Sequence, residues 1–161
     1  MGRLVTIVSF MATTVNHIEE FHELLGKDLG FSEWYEVTQE TVNLFAEATG
    51  DHQWIHVDPE KAKDGPFGGT IAHGYLTLSL APVLFGEVLT VENMSLGVNY
   101  GCNKVRFPAP VMVGSRIRLG VKVASVEKVG DAVQVELDMT IEAQGSQKPC
   151  CVAQVVYRYF S

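Results

Sequence analysis

Hydrophobic residues follow two different rhythms along this chain, and the change comes near Leu89. Before it, Ile18, Phe21, Leu24 and Leu25 share a helical face, and Gly26 supplies a stop. Thr38 is placed to cap a second helix, with Glu40 in its first turn. Val42, Phe45, Ala46 and Thr49 then line one face, and Gly50 stands where a glycine ends a helix. Pro59 can open a short turn through Lys63. Ile71 to Leu84 is apolar nearly all round, so a helix there must be covered on most sides.

After Leu89 the period falls to two. Ile117, Leu119, Val121 and Val123 alternate with Arg116, Arg118 and Lys122. Val133, Val135, Leu137, Met139 and Ile141 repeat the pattern, and Val152, Val155, Tyr157 and Tyr159 make a last strand. Gly114-Ser115, Gly130-Asp131 and Gly145-Ser146 supply the turns, and Pro108 and Pro110 mark a strand end. An antiparallel sheet with one buried face needs an apolar cover, and Ile71–Leu84 is the segment long enough to be it. The fold class is α+β.

Composition narrows the function. The 161 residues suit one domain, with 47% hydrophobic and 19% charged. Twelve Lys and Arg against 19 Asp and Glu give a net charge of −7, and no two basic residues are adjacent, which argues against nucleic acid as a partner. Cys102, Cys150 and Cys151 form neither a disulfide framework nor a CxxC metal pair, as expected in a reducing cytoplasm. The apolar run Leu4–Val15 is short, diluted by Thr and Ser, and lacks a convincing cleavage site. Met11 offers an alternative start. Ile71–Leu89 carries His73, Glu87 and Pro82, so no membrane span is expected.

Ionisable side chains crowd the window from Gly50 to Gly74. Asp51 and His56 stand five apart after the Gly50 stop. Ile55 and Val57 favour an extended backbone that turns His56 to the opposite face. A carboxylate beside an imidazole can move a proton either way near neutral pH. The same pair also fits a backbone-capping Asp beside a half-exposed His, and spacing leaves both open. His52, His56 and Asp58 have a metal-like spacing only on a helix, which Gly50 and Pro59 interrupt, so no metal is expected. The run from Gly65 to Gly69 lacks the Gly-Lys-Ser/Thr ending of a phosphate loop. It reads as a tight entry to the buried helix, whose first N–H groups could meet a carbonyl oxygen at Gly74. His73 reads first as a core histidine bonded to a backbone carbonyl.

The stretches Phe45–Asp51, Ile55–Pro59 and Phe67–Gly74 together resemble the MaoC-like dehydratases, including the (R)-specific 2-enoyl-CoA hydratases and the NodN-like branch. The likeness continues through Asn99–Val111 and covers roughly Phe31 to Tyr159. It implies a single hot-dog domain over 31–161, an antiparallel sheet wrapped around a long central helix, behind a partly helical extension over 1–30. It also implies a homodimer with joined sheets, and addition of water to trans-2-enoyl-CoA thioesters without a cofactor. Asp51 and His56 match the family's catalytic dyad, and Gly74 matches the glycine whose N–H holds the thioester oxygen. His73, Lys104 and Arg106 are further substrate-binding candidates, the two bases for carrier phosphates. Gln53-Trp54 replaces a common Asn-Pro, and Pro82 stands where some hydratases have serine, which leaves the acyl pocket undefined. Three other readings stay open: a 3-hydroxyacyl dehydratase acting on acyl carrier protein, a non-catalytic acyl-binding subunit, and a thioesterase.

Overall fold

The computed structural model describes residues 12–161, so the apolar run before Met11 lies outside the described residues. Eight strands and five short α-helices follow in order. They are β1 (Thr13–Val15), β2 (Asp28–Phe31), β3 (Tyr35–Glu36), α1 (Gln39–Thr49), α2 (Trp54–Val57), α3 (Pro59–Lys63), α4 (Gly74–Ser79), α5 (Ala81–Phe85), β4 (Leu89–Val91), β5 (Leu96–Arg106), β6 (Arg116–Val129), β7 (Ala132–Ala143) and β8 (Cys151–Phe160). The main sheet runs β2-β6-β7-β8-β5, with β3 also on β6, and every pairing in it is antiparallel. β1 pairs with β4 in a small parallel ribbon.

The alternation on β6, β7 and β8 is realised. Ile117, Leu119, Val121 and Val123 face the core, as do Val135, Leu137, Met139 and Ile141 on β7. Against them lie Leu76, Leu80, Ala81, Leu84 and Phe85, and the Phe85 ring stacks on Tyr157 at 5.7 Å. This is a hot-dog arrangement. Its central helix comes in two pieces, because Pro82 has no N–H to continue the ladder and Leu80 takes a turn between α4 and α5. Ile71 lies outside it, in a bridge with Met112. Tyr75 and Val83 on these helices stay 74% and 60% exposed, so one face of this cover has nothing over it in the single chain.

Two local features differ from the pattern reading. The Ile18–Leu24 segment is a 3₁₀ helix, whose three-residue turn buries Ile18 and Phe21 on one line. Both join the same core as β6–β8, together with Val15. β5 is an eleven-residue strand at the sheet edge whose alternation the sequence breaks, because its register on β8 shifts between Asn99 and Gly101 and again between Cys102 and Lys104. No helix among the described residues is long and apolar enough to cross a membrane.

Candidate active site

α1 begins at Thr38, whose hydroxyl accepts from the Thr41 N–H at 3.2 Å, and ends at Gly50 with φ +80°. That left-handed turn reverses the chain and delivers Asp51 to an exposed edge. His56 sits on α2, a single helical turn, and not on the extended segment that Ile55 and Val57 suggested. Tertiary bonds outweigh their strand preference. The Ile71 N–H reaches the Ile55 carbonyl at 3.0 Å, and Asp58 turns away to cap α3 through the Lys61 N–H.

His56 is buried, and its Nδ1–H donates to the Ile71 carbonyl at 2.7 Å. A carbonyl only accepts, so the proton is on Nδ1 and Nε2 keeps a free lone pair. Burial pushes the His56 pKa below its ordinary value of 6.5, partly offset by the Ile71 bond and lowered further by His73. The imidazole is thus held neutral, the form a general base requires.

His73 lies over His56, ring centroids 3.8 Å apart and 26° from parallel, and the Phe45 ring is tilted against His73 at 4.9 Å. Its Nε2–H donates to the Asp51 backbone carbonyl at 3.0 Å, the kind of carbonyl contact the sequence suggested. Its Nδ1 is buried and has no hydrogen-bond partner among the described residues. One donor atom each from Asp51, His56 and His73 lies within 4.8 Å of the other two. Among the described residues, these three could hold a metal ion. The set weighed from spacing does not assemble, since His52 turns outward to Glu47 at 2.8 Å, a bond that raises its pKa, and Asp58 is a helix cap.

A residue with no sequence signal fixes this arrangement. The Gln39 amide donates to the His56 carbonyl at 2.7 Å and to Asn43 at 2.9 Å, and its oxygen accepts from the buried Thr70 hydroxyl at 2.6 Å. Gln39 stands in an ordinary polar run at a helix start, so nothing in the pattern separates it from a solvated side chain.

Gly74 follows His73 directly and opens α4, where the first N–H groups have no acceptor within the helix. A side chain there would meet the Phe107 ring at 3.1–3.3 Å, so the position needs a glycine or a displaced Phe107. Beside it opens a cleft of about 250 Å³, lined by Phe67, Thr77, Phe107, Val111 and Cys150 among others. Burial pushes the Cys150 thiol up, which disfavours the thiolate a nucleophile needs. Lys104 and Arg106 lie on β5 and line a second cleft with Asp138 and Gln154, which shares no lining residue with the one beside Gly74.

The MaoC like domain profile matches residues 20–144. The chain belongs to the MaoC-like dehydratase family. Among its MaoC-like relatives, the "3-hydroxyacyl-thioester dehydratase Z" of Mycobacterium tuberculosis is 52% identical over 91% of this chain and 97% of that protein. "Nodulation protein N" of Rhizobium leguminosarum bv. viciae is 43% identical over 80% of this chain and 82% of its own length. The unliganded R-hydratase of Pseudomonas aeruginosa superposes with a TM-score of 0.72 at 22% identity, covering 91% of this chain and 88% of that one, which establishes the shared hot-dog fold. The name of the Mycobacterium relative gives that protein a 3-hydroxyacyl thioester to dehydrate.

Proposed function

We propose that this chain adds water reversibly to trans-2-enoyl-CoA thioesters, giving (R)-3-hydroxyacyl-CoA. The observation that carries the reading is a buried His56, its proton committed on Nδ1, converging with Asp51 and with His73, the residue that precedes the opening N–H of Gly74. Asp51 and His56 hold one water and take its proton as the oxygen attacks the β-carbon. Negative charge then builds on the thioester oxygen, where the Gly74 N–H stabilises it. The proton returns to the α-carbon, and no redox or metal chemistry enters.

Purified protein mixed with crotonyl-CoA is expected to bleach the enoyl absorbance, and in reverse to dehydrate only the (R)-3-hydroxy thioester. Because burial holds His56 below 6.5, the acid limb of kcat/KM is expected below that value. The sign for stability agrees. The unfolded chain binds the proton first, so stability falls as pH drops from 6.5 toward the folded-state value. Inertness toward every enoyl chain length on CoA would overturn the CoA reading. The name of the 52% identical relative specifies a thioester without a carrier, so acyl carrier protein substrates are the second reading. Turnover on carrier-bound substrate alone would select it.

The assembly that fits is a homodimer joined along β5. Among the described residues that strand pairs only with β8, and its Leu96, Val98 and Tyr100 are exposed. An unpaired apolar edge of this length invites a second strand. Light scattering is expected to give the mass of two chains, and Val98→Lys with Tyr100→Glu is expected to shift it to one. A monomeric wild type would overturn this assembly.

A further inference from the structure

His56 stands on a turn that its own sequence does not favour. α2 is the single turn Trp54–Val57, too short to hold itself by its own hydrogen bonds, and Ile55 and Val57 prefer an extended backbone. In an extended segment successive side chains point to opposite faces. Relaxing this turn would therefore swing the His56 ring away from the Ile71 carbonyl, which takes its Nδ1 proton at 2.7 Å. Groups outside the turn must hold it. The Ile71 N–H holds the Ile55 carbonyl at 3.0 Å, and Gln39 holds His56 itself.

Gln39 closes a ring of bonds around the imidazole. Its NH₂ group donates to the His56 backbone carbonyl at 2.7 Å, and its oxygen accepts from the Thr70 hydroxyl at 2.6 Å. Thr70 is joined through the chain to Ile71, whose carbonyl receives the His56 ring. The circuit runs from the His56 main chain through Gln39 and Thr70 to Ile71, and back to His56 Nδ1. The amide is oriented by these contacts, because reversing it would set its oxygen against the His56 carbonyl oxygen at 2.7 Å. Both ends are anchored. Gln39 is the first residue of α1, directly behind the Thr38 cap, and the buried Thr70 accepts from the Val113 N–H at 2.9 Å.

We propose that Gln39, tied to Thr70, is the positioning residue of the general base: it keeps His56 in the tautomer with its proton on Nδ1. The catalytic consequence rests on the hydratase reading above. An imidazole takes a proton only through a nitrogen that carries none, so Nε2 serves as base only while the Ile71 carbonyl keeps the proton on Nδ1. Without Gln39 the turn opens and the ring leaves Ile71. Molecules with the proton on Nε2 then have no base at the dyad. Gln39 acts through His56 and not on the reacting atoms.

Gln39→Met keeps the length of the side chain and removes both bonds. The test reads the ring-nitrogen resonances of ¹⁵N-labelled histidine above the usual histidine pKa range, in protein shown to be folded by circular dichroism. Wild type is expected to show His56 in the Nδ1–H form alone, and Gln39→Met a mixture of tautomers. The kcat for crotonyl-CoA hydration is expected to fall about tenfold to a hundredfold with KM unchanged, as misplacement of a reacting group does. Thr70→Val removes the hydroxyl at the other end and is expected to move both readouts the same way, while Thr70→Ser keeps the hydroxyl and restores them. Because Thr70 acts through Gln39, the double variant should be no slower than Gln39→Met. Asn43→Ala removes the amide's contact outside the circuit, at 2.9 Å, and is expected to change neither readout. A mixture already in wild type, the Nδ1–H form alone in folded Gln39→Met, or a mixture with wild-type kcat would overturn the proposal. So would the same mixture in Asn43→Ala. If Gln39→Met does not fold, Thr70→Val decides the matter by the same readouts. The spectrum needs no substrate, so a wild type inert toward all enoyl thioesters would bring down the hydratase reading while the tautomer still judges the role of Gln39.

Discussion

Asp51→Asn is expected to lower kcat for enoyl-thioester hydration by about 10²–10⁴-fold while the chain stays folded, the span general acid–base catalysis covers. The fold should tolerate the change. Asp51 is exposed, and its side chain accepts one contact, from the Gln53 N–H at 3.3 Å, which an asparagine oxygen can keep. The matching test at the other member is His56→Asn. An asparagine amide N–H falls near the original Nδ1, so it can still donate to the Ile71 carbonyl that His56 holds at 2.7 Å, while the Nε2 lone pair is gone. Because the two residues act on one water, the double variant is expected to be little slower than either single one. Circular dichroism and the enoyl absorbance assay read fold and rate side by side. Either variant retaining more than about a tenth of wild-type kcat, against the range expected for acid–base groups, would remove that residue from the dyad.

The parts of this molecule legible in the sequence are those set by local rules. Alternation on β6, β7 and β8 follows from one face meeting the core, and the period of two survives because most of that sheet is not interrupted. The limits of α1 follow from Thr38 and Gly50, whose side chain and absent side chain act within one turn. What stayed hidden depends on contacts between distant segments. β5 has an apolar rhythm broken by register shifts, and it finds its place only through β8. The helical turn at His56 runs against the preference of Ile55 and Val57, and the bond from Ile71 makes it possible. Gln39 shows its role only when Thr70 and the His56 carbonyl, 31 and 17 residues away, arrive beside it. His73 was legible as a residue bonded to a backbone carbonyl, but the partner, Asp51, and the stacking on His56 required the fold.

The segment before residue 31 supplies the second large effect. Phe21 is fully buried, stacks on Tyr159 with ring centroids 4.9 Å apart, and shares its core with Val15, Ile18 and the strands β6–β8. β2, which starts at Asp28, also pairs with β6. Phe21→Ala is therefore expected to cost about 3–5 kcal/mol of unfolding free energy, as removal of a buried aromatic ring does elsewhere. At roughly 2–4 °C per kcal/mol for a chain of this size, the Tm should fall by about 6–20 °C. Tyr75→Ala, at an exposed ring, is the control and should move the monomer's Tm by about a degree or less. The comparison decides where the folding unit starts. If Phe21→Ala costs less than about 1 kcal/mol, well below the usual buried-ring range, residues 12–30 are an extension laid on a core that is complete from residue 31. If it costs the full amount, the sheet cannot be closed without the 3₁₀ helix at Ile18–Leu24. The unit that carries the dyad then begins well before the part of the chain where the family likeness is legible by eye.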